Sequence, residues 1–256
     1  MDMRLKIIGC SSGMASAQKS TSSYLLEIDR IGYLLDCGDG TAQAIRRLKI
    51  NPNTISKIFI SHMHSDHSMG LPFLVQLMHL LRRELPLDIY LPREAEDGFK
   101  RLLYMTYLFP GDLGFDITFH GLDRKSTYED SLVKVEFVQN RHLQGKRDFI
   151  MSRALPNRMQ CFSMIAEHDR KRLVYTADVL DSEDVALVAE NADLLISEGM
   201  HIDLERMPQL MIDKDVRKLV LTHLPDHIDS EKISADFAKA GFDNLAFARA
   251  GMELIV

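Results

Sequence analysis

The sequence predicts an α/β (α+β) fold: two mixed β-sheets packed together as a four-layer αββα sandwich, with helices on the outside. Short apolar runs of strand composition occur in each half of the 256-residue chain, and helical segments lie between and after them. Three histidines within six residues directly follow one of these strands. No Gly/Ser-rich or Pro-rich linker separates two halves of the sequence, so residues 1–256 are interpreted as one domain.

In the first half, an apolar strand precedes a Gly/Ser-rich turn at 9–23, and two further strands flank a turn at 29–32 as a hairpin. The helix predicted at 41–48 ends before Asn51-Pro52-Asn53, which breaks helical structure. Apolar residues at helical spacing predict the next helix, at 71–85. The elements predicted in this half are strands at 5–8, 24–28, 33–35, 58–60, 89–91 and 117–119, and helices at 41–48, 71–85 and 95–107.

In the second half, a polar turn at 168–171 joins two strands as a hairpin, and helices then alternate with strands from residue 183 onward. The elements predicted in this half are strands at 133–138, 161–165, 173–175, 194–196, 219–221, 245–248 and 253–256, and helices at 183–189, 204–211 and 230–240.

Composition excludes several classes of protein. Three cysteines without a CxxC spacing argue against a disulfide framework and for a reducing compartment, so a cytoplasmic location is expected. No apolar run reaches the roughly 18–20 residues of a membrane span, and the first residues lack a signal peptide's pattern, so no membrane partner is expected. The net charge of −6 is not that of a globally basic nucleic-acid binder.

The segment Ser61-His62-Met63-His64-Ser65-Asp66-His67 carries the chemistry. His62 and His64 are two residues apart and would point to the same side of an extended backbone, while Asp66 and His67 can turn toward a second position. Imidazole nitrogens with a carboxylate suit zinc, manganese or iron. The alternatives are a solvated loop with a chance run of histidines and a tract that binds metal adventitiously.

Three further candidate ligands each lie just beyond a short apolar strand. His142 follows the strand at 133–138, Asp178 follows the strand at 173–175, and His223 follows the strand at 219–221. Taken singly, each could be a capping or loop residue. Taken together, their positions fit the convergence of strand ends at one edge, where α/β layers build their sites.

Five groups of segments, which span most of the chain, show a common pattern: Gly9-Cys-Ser-Ser-Gly13 with Ser22-Ser-Tyr-Leu25, Leu35-Asp-Cys-Gly-Asp-Gly-Thr41, Ile58-Phe-Ile-Ser-His62 through Gly70-Leu-Pro72, Ala192-Asp-Leu-Leu-Ile-Ser-Glu198, and Leu221-Thr-His223. Together these segments resemble the metallo-β-lactamase-fold hydrolases, in particular their ribonuclease Z-like branch.

The resemblance implies a role for each candidate ligand. His62, His64 and His142 would bind one metal ion, Asp66, His67 and His223 would bind the second, and Asp178 would bridge the two. Two divalent ions, zinc above all and manganese or iron as alternatives, would share a water and lower its pKa to produce hydroxide near neutral pH. Asp66 would also steer that hydroxide as a catalytic residue, and Asp36 would orient ligating imidazoles.

A basic stretch indicates the kind of substrate. Residues 141–172 contain eight Lys or Arg and three acids, a charge of +5, while the rest of the chain carries −11. A basic stretch beginning beside His142 suits a phosphate-bearing substrate, and Arg141, Lys146 and Arg147 are the predicted substrate-binding residues. A solvated charge run is the alternative, and it is favoured for Arg170-Lys-Arg172 in its hairpin turn.

The chain departs from ribonuclease Z at several positions. That family usually has His-Glu-Ala-Thr where this chain has Ser197-Glu-Gly-Met200, and it has a His-Ser-Thr segment that is missing here. Only 35 residues separate His142 from Asp178, which leaves little room for the family's tRNA-gripping arm. In that family, the histidine of the His-Ser-Thr segment helps to protonate the leaving group. His201 and His227 are the candidates for this role as general acid here.

These observations predict a dinuclear metal-dependent phosphodiesterase that acts on a nucleotide, a cyclic nucleotide or RNA. The alternatives are a ribonuclease Z-type tRNA 3′ endonuclease, a lactonase- or thioesterase-like hydrolase, and a non-catalytic metal-binding scaffold. Relatives of this branch are often dimers, so the resemblance also implies a homodimer.

Overall fold

The computed structural model describes residues 2–14 and 16–256, which form two compact units. Unit 1 comprises the described residues up to Asp123 together with Arg249–Ile255, and unit 2 comprises Arg124–Ala248 and Val256. Each unit contains one seven-stranded sheet with helices packed on it, so the predicted pair of sheets with flanking helices is confirmed. Within the described ranges, no helix has the length and apolar character needed to cross a membrane. The single domain expected over residues 1–256 stays a prediction.

Elements are numbered in chain order. Unit 1 contains strands β1 to β6 and β14, the last strand of the chain, and helices α1 to α4. Their bounds are Met3–Gly9 (β1), Ser23–Ile28 (β2), Ile31–Leu35 (β3), Thr41–Arg47 (α1), Ile55–Phe59 (β4), Ser65–Ser68 (α2), Leu71–Leu80 (α3), Leu87–Pro92 (β5), Glu96–Met105 (α4), Ile117–Leu122 (β6) and Glu253–Ile255 (β14).

Unit 2 contains strands β7 to β13 and helices α5 to α8, together with a 3₁₀ turn over His142–Lys146. Their bounds are Thr127–Glu129 (β7), Lys134–Gln139 (β8), Arg147–Ser152 (α5), Phe162–His168 (β9), Lys171–Tyr175 (β10), Ser182–Val188 (α6), Leu194–Glu198 (β11), Met207–Asp213 (α7), Leu219–Thr222 (β12), Ser230–Lys239 (α8) and Leu245–Phe247 (β13).

Both sheets are mixed. The first has the order β14-β1-β2-β3-β4-β5-β6, with antiparallel pairs from β14 to β3 and parallel pairs from β3 to β6. The second has the order β13-β12-β11-β10-β9-β8-β7, with parallel pairs from β13 to β10 and antiparallel pairs from β10 to β7. Parallel neighbours end at the same edge of a sheet, which lets side chains that follow different strands meet.

Each unit has its own core between a sheet face and its helices. In unit 1, the apolar stripe of α3, including Leu74 and Met78, packs with strand residues such as Ile58 and Ile89. In unit 2, helices α6, α7 and α8 pack on the second sheet through residues such as Val185, Met211 and Phe237. Burial of each such side chain stabilises the fold by about 1.5–3 kcal/mol. The strands that precede the candidate ligands are therefore held rigidly.

Helix α3 is shorter than the sequence predicts. It ends at Leu80, not at residue 85, and Arg82 takes a left-handed φ of 57°. The next residue, Arg83, is buried and donates hydrogen bonds to the carbonyls of Leu85 and Pro86, which draws the chain out of the helix. The apolar pattern in the sequence continues past Leu80 to Leu85, but both of these leucines are exposed. Helical periodicity alone therefore predicts a helix that is too long.

Candidate metal centre

In unit 1, the metal loop, residues 61–67, leaves β4 and enters α2. The backbone is still extended at His64, with φ −60° and ψ 146°, and the rings of His62 and His64 lie 4.7 Å apart between centroids. Helix α2 then turns the chain so that the ring of His67 lies 4.2 Å from that of His62. Nε2 of His67 is 3.6 Å from Oδ2 of Asp66. The loop therefore brings four potential ligands of unit 1 together.

A buried carboxylate, Asp36, orients two of these imidazoles. Its Oδ1 accepts a hydrogen bond from the backbone N–H of Ser61 at 2.7 Å, and its Oδ2 accepts from Nδ1 of His67 at 2.7 Å. The Ser61 hydroxyl donates its one proton to Oδ2 of Asp36 at 2.8 Å, so it must accept from Nδ1 of His62, 3.0 Å away. Both histidines thereby carry their proton on Nδ1 and their lone pair on Nε2, which is the tautomer a metal ligand needs.

Close backbone packing holds the metal loop against the turn after β3. The N–H of Cys37 donates to the carbonyl of His67 at 2.8 Å, and the N–H of Gly70 donates to the carbonyl of Cys37 at 2.9 Å. A Cβ on Gly70 would lie 1.9 Å from the carbonyl oxygen of Gly38, and one on Gly38 would lie 2.0 Å from that of Asp66. Glycine is required at both positions because of space.

In unit 2, Asp178 faces two imidazoles. Its Oδ2 lies 3.6 Å from Nε2 of His142, and its Oδ1 lies 3.6 Å from Nε2 of His223. Asp178 and His223 are buried, and the side chain of His142 is only 9% exposed. Nδ1 of His142 is 3.3 Å from the carbonyl of Val179, which places the lone pair of that ring on Nε2 as well. The two carboxylate oxygens of Asp178 therefore point at different rings.

Left-handed backbone conformations recur where the chain leaves these strands. Asp36 follows β3 with φ 57°, Ala177 precedes Asp178 with φ 52°, and His223 follows β12 with φ 56°. Such a conformation costs a residue with a Cβ roughly 1–3 kcal/mol, and it persists only where surrounding contacts impose it. Strain of this kind is concentrated at functional sites in proteins.

The donor sets fit divalent metal ions. Two atoms bound to one ion at about 2.0–2.2 Å lie roughly 3–3.6 Å from each other. The separations of 3.6 Å in the pairs His67–Asp66, His142–Asp178 and His223–Asp178 are longer than hydrogen bonds but match ligands that share an ion. Neutral imidazoles and carboxylates are the ligands that zinc, manganese and iron accept, so the donor set in each unit suits a metal ion.

Of the two predicted proton donors, His201 has a defined partner. Nδ1 of His201 donates to Oε1 of Glu198 at 3.1 Å, and Glu198 also accepts from the backbone N–H of Met200 and of His201. The hydrogen bond with Glu198 raises the pKa of His201 above its ordinary value, against the opposing effect of partial burial. The His201 ring lies 5.2 Å from that of His142. His227 lies exposed in the turn after β12.

The basic stretch at 141–172 contains cations that are paired with acids and others that are exposed. Nε of Arg141 donates to Asp184 at 2.8 Å, and its Nη2 lies 2.5 Å from Asp181 and 3.3 Å from Glu183. Lys146 ends the 3₁₀ turn that follows Arg141, Arg147 begins α5, and both are exposed. The predicted role of these three residues in substrate binding stays a prediction.

Three contacts around the candidate ligands were not predicted from the sequence. These are the hydroxyl of Ser61 between Asp36 and His62, the pairing of Glu198 with His201, and the engagement of Arg141 by Asp184. Glu198 precedes His201 by three residues, a spacing that could have indicated a contact. Arg141 and Asp184 are 43 positions apart, and no local pattern signals their pairing.

Several known proteins are similar to this chain in sequence or in structure. A ribonuclease Z from Methanosarcina acetivorans is 27% identical over 299 aligned positions, covering 98% of this chain and 97% of its own length. The metallo-β-lactamase-fold protein YhfI from Bacillus subtilis superposes with a TM-score of 0.79 at 22% identity, and each chain is covered completely. The short form of human tRNase Z superposes with a TM-score of 0.76 at 19% identity over 98% of both chains.

The fold, the donor sets and these relatives define a metal-dependent hydrolase of the metallo-β-lactamase fold, in its ribonuclease Z-like branch. Within that class, the family model described as "Anti-Pycsar protein Apyc1" matches residues 3–246. The chain belongs to this family.

Proposed function

We propose that this protein is a two-metal phosphodiesterase that hydrolyses a nucleotide, a cyclic nucleotide or an RNA phosphodiester. The carboxylate of Asp178 carries the proposal, because its two oxygens face two different imidazoles at 3.6 Å. A carboxylate in this arrangement can bind one ion on each side, as in two-metal phosphoesterases. Membership of the ribonuclease Z-like branch supports the same reaction class.

We propose the same assignment of ligands to the two metal ions as the family resemblance implies. His62, His64 and His142 would bind the first ion, Asp66, His67 and His223 the second, and Asp178 would bridge them. The pairings inside each unit support this division, since Asp66 adjoins His67 in unit 1 and Asp178 adjoins both histidines in unit 2. Zinc is the proposed ion, with manganese and iron as alternatives. Two bound ions would stabilise developing negative charge and lower the pKa of a water molecule.

The chain's own residues would complete the chemistry. Asp66 would orient the attacking oxygen. His201, held at Nδ1 by Glu198, would present Nε2–H as a proton donor to the leaving group. His227 is the second candidate for that role. Lys146 and Arg147, exposed beyond His142, would attract the substrate's phosphate, together with Arg141 as the third predicted contact.

A small substrate is favoured over tRNA. The 35 residues between His142 and Asp178 contain α5, β9 and β10, which leaves little chain for a separate arm. The alignment with the Methanosarcina acetivorans ribonuclease Z has 299 positions against 256 residues in this chain, so at least 43 of those positions have no counterpart here. The relatives named ribonuclease Z nevertheless support tRNA 3′ cleavage as the second candidate function.

The substrate is tested by giving one zinc-loaded preparation a bis-aryl phosphodiester, cyclic nucleotides, a precursor tRNA, a lactone and a thioester. We expect hydrolysis of the phosphodiester and of a cyclic nucleotide without correct tRNA 3′ cleavage. Correct 3′ cleavage would establish the ribonuclease Z alternative. Hydrolysis of a lactone or thioester alone would indicate the other enzymatic class, and inactivity on all substrates would favour a metal-binding scaffold.

The metal assignment is tested by replacing single ligands. Asp178→Ala should abolish zinc binding at both sites and activity together, because its carboxylate is the shared ligand. His168→Ala is the matched control, because that histidine lies at the opposite end of β9 from the strand ends that carry ligands. Full activity of metal-free Asp178→Ala would contradict the mechanism.

We propose further that two copies of this chain associate through unit 1. Tyr107 and Met105 are 79% and 75% exposed, and the ring of Phe109 lies within 6 Å of those of Tyr104 and Tyr107. Contiguous apolar surface of this kind marks interaction sites. Light scattering should give twice the chain mass, and Tyr107→Glu should shift it toward the monomer. A monomeric wild type at micromolar concentration would refute this association.

We propose a cytoplasmic location, supported by three buried cysteines that form no disulfide within the described ranges. Cell fractionation with an antibody to the protein checks it, and recovery in a membrane or secreted fraction would contradict it.

A further inference from the structure

Two predicted ligands of unit 2, His142 and Asp178, come from loops that are not adjacent in the sheet. His142 follows β8 and Asp178 follows β10, while β9 lies between those two strands. Neighbouring strands are about 4.8 Å apart, so strand pairing by itself leaves these loops roughly 10 Å from each other. Other contacts must set the spacing between Nε2 of His142 and the carboxylate of Asp178.

Asn140 provides one such contact across β9. Its Nδ2 donates to the carbonyl of Asp178 at 2.9 Å and to the hydroxyl of Ser163 on β9 at 3.2 Å, while its Oδ1 accepts from the N–H of His142 at 3.1 Å. The side chain is buried, so these bonds are not exchanged with water. One amide group thus holds the backbones of both ligands.

Asp184 provides the second contact, from the first turn of α6. Its Oδ2 accepts from the N–H of Arg141 at 3.1 Å and from the N–H of Leu180 at 3.0 Å, and its Oδ1 accepts from Nε of Arg141 at 2.8 Å. Arg141 adjoins His142, and Leu180 lies two residues after Asp178. Asp184 therefore joins the same two loops as Asn140, through different backbone groups.

Capping of helix α6 does not explain why a carboxylate is buried at Asp184. The N-cap of this helix is Asp181, which accepts from the backbone N–H groups of Glu183 and Asp184. The carboxylate of Asp184 is fully buried, and burial of a charge is costly unless hydrogen bonds and a counter-charge compensate it. Here the compensation comes from the two loops that carry ligands.

We propose that Asn140, Asp184 and Arg141 form a clamp whose role is to set the distance between His142 and Asp178, and so the affinity of the metal ion that these two ligands share. They are positioning residues, because they act through the ligands. The inference rests on the proposed function only in requiring that these ligands bind a metal. It also gives Arg141 a role other than contact with phosphate.

The test is a zinc titration of metal-free wild type, Asp184→Asn and Asn140→Ser, followed by calorimetry. Loss of contacts that orient ligands weakens metal binding by roughly 10–100-fold. We expect the binding event that involves His142 to weaken by that factor in both variants, and the other to weaken less, because both ions use Asp178 but His223 lies outside the clamp. Cobalt substitution gives an independent readout, since the visible spectrum of one site should change.

Asp193→Asn is the matched control. Asp193 also accepts from a backbone N–H, that of Arg172 at 2.9 Å, and pairs with Lys171 and Arg217, but these partners lie at the starts of β10 and β12, at the opposite ends from the ligands. We expect this variant to lose thermal stability while both zinc affinities stay within about threefold of wild type. An equal loss of zinc affinity in Asp193→Asn and Asp184→Asn would show a general stability effect and overturn the clamp.

Circular dichroism establishes which variants fold. Should Asp184→Asn and Asn140→Ser both fail, Arg141→Lys serves in their place, because that side chain is partly exposed and the change keeps its charge. A folded clamp variant with both zinc affinities unchanged would overturn the inference alone. Wild type that binds no zinc would overturn the proposed function as well. Wild type with two zinc sites but no phosphodiesterase activity, and with clamp variants that weaken one site, would refute the function and support the clamp.

Discussion

Nδ1 of His67 lies 2.7 Å from Oδ2 of Asp36, although the two residues are 31 positions apart in the chain, and both side chains are buried. The contact joins the metal loop to the turn after β3. Because Asp36 also accepts from Ser61, whose hydroxyl adjoins His62, one carboxylate determines the tautomer of two imidazoles.

Replacement of this carboxylate should weaken metal binding. In Asp36→Asn, an amide can donate to Nδ1 of His67, which favours the tautomer with its proton on Nε2. We expect zinc affinity, measured by titration against a chelator, to fall by roughly 10–100-fold. Asp39→Asn, at an exposed position in the same turn, should leave the affinity unchanged. Wild-type affinity in Asp36→Asn would contradict the role of this contact.

Replacement by alanine should change the free energy of unfolding in opposite directions at two glycines, one at the start of a helix and one inside a helix. Gly70, with φ −74°, has no room for a Cβ beside the carbonyl of Gly38, so Gly70→Ala should lower the free energy of unfolding by about 2–3 kcal/mol. Gly98 lies inside α4 with no atom within 4 Å of an added Cβ, so Gly98→Ala should raise it by about 0.5–1 kcal/mol. Denaturant unfolding measures both, and equal effects would refute the packing argument.

An ion-pair cluster on the first sheet should make stability depend on pH. Oδ2 of Asp88 lies 2.7 Å from Nζ of Lys57, and Oδ1 lies 2.9 Å from Nε2 of His120, whose ring stacks on Tyr90. Burial by itself raises the pKa of Asp88, but the hydrogen bonds from Lys57 and His120 outweigh it and leave this pKa below its ordinary value.

A carboxyl group with a lowered pKa in the folded state stabilises the fold above its unfolded pKa of about 3.9, and this contribution is lost as the pH falls through the folded pKa. Asp88→Asn should therefore lower the free energy of unfolding by up to about 1 kcal/mol at pH 7, and this deficit should shrink below about pH 4. Urea titrations at several pH values measure it, with Asp116→Asn as an exposed control. A deficit independent of pH would contradict the assignment.

Mutation of the two candidate proton donors should affect activity differently. His201 is held by Glu198, whereas His227 is exposed in its turn. We expect His201→Ala to lower kcat on a phosphodiester by about 10²–10⁴-fold with zinc content unchanged, and His227→Ala to have little effect. The reverse result would assign the proton to His227.

The cysteine thiols should be unreactive in the folded protein. Cys10, Cys37 and Cys161 are all buried, and burial raises the pKa of the Cys37 thiol well above its ordinary value. A thiol reagent should modify none of them within minutes in buffer and all three after unfolding in guanidinium. Rapid modification of the native protein would contradict this burial.

Features that depend on neighbours along the chain can be predicted from the amino-acid sequence. Strand and helix patterns predicted the described strands of both sheets except β7, and the spacing of His62 and His64 predicted that they share a side, because alternation in extended backbone is a local property. The role of Asp36 in orienting imidazoles came from resemblance to a family, and its contact with His67 agrees with it.

Contacts between residues far apart in the chain depend on the tertiary structure. The end of α3 at Leu80 depends on the burial of Arg83, and the engagement of Arg141 by Asp184 depends on where α6 packs after the chain has crossed β9 and β10. Local patterns carry no record of such pairings, because a charged side chain finds its partner through the path of the whole chain. The histidine spacing could therefore indicate metal chemistry, whereas the clamp between Asn140 and Asp184 became visible only once the loops were placed in three dimensions.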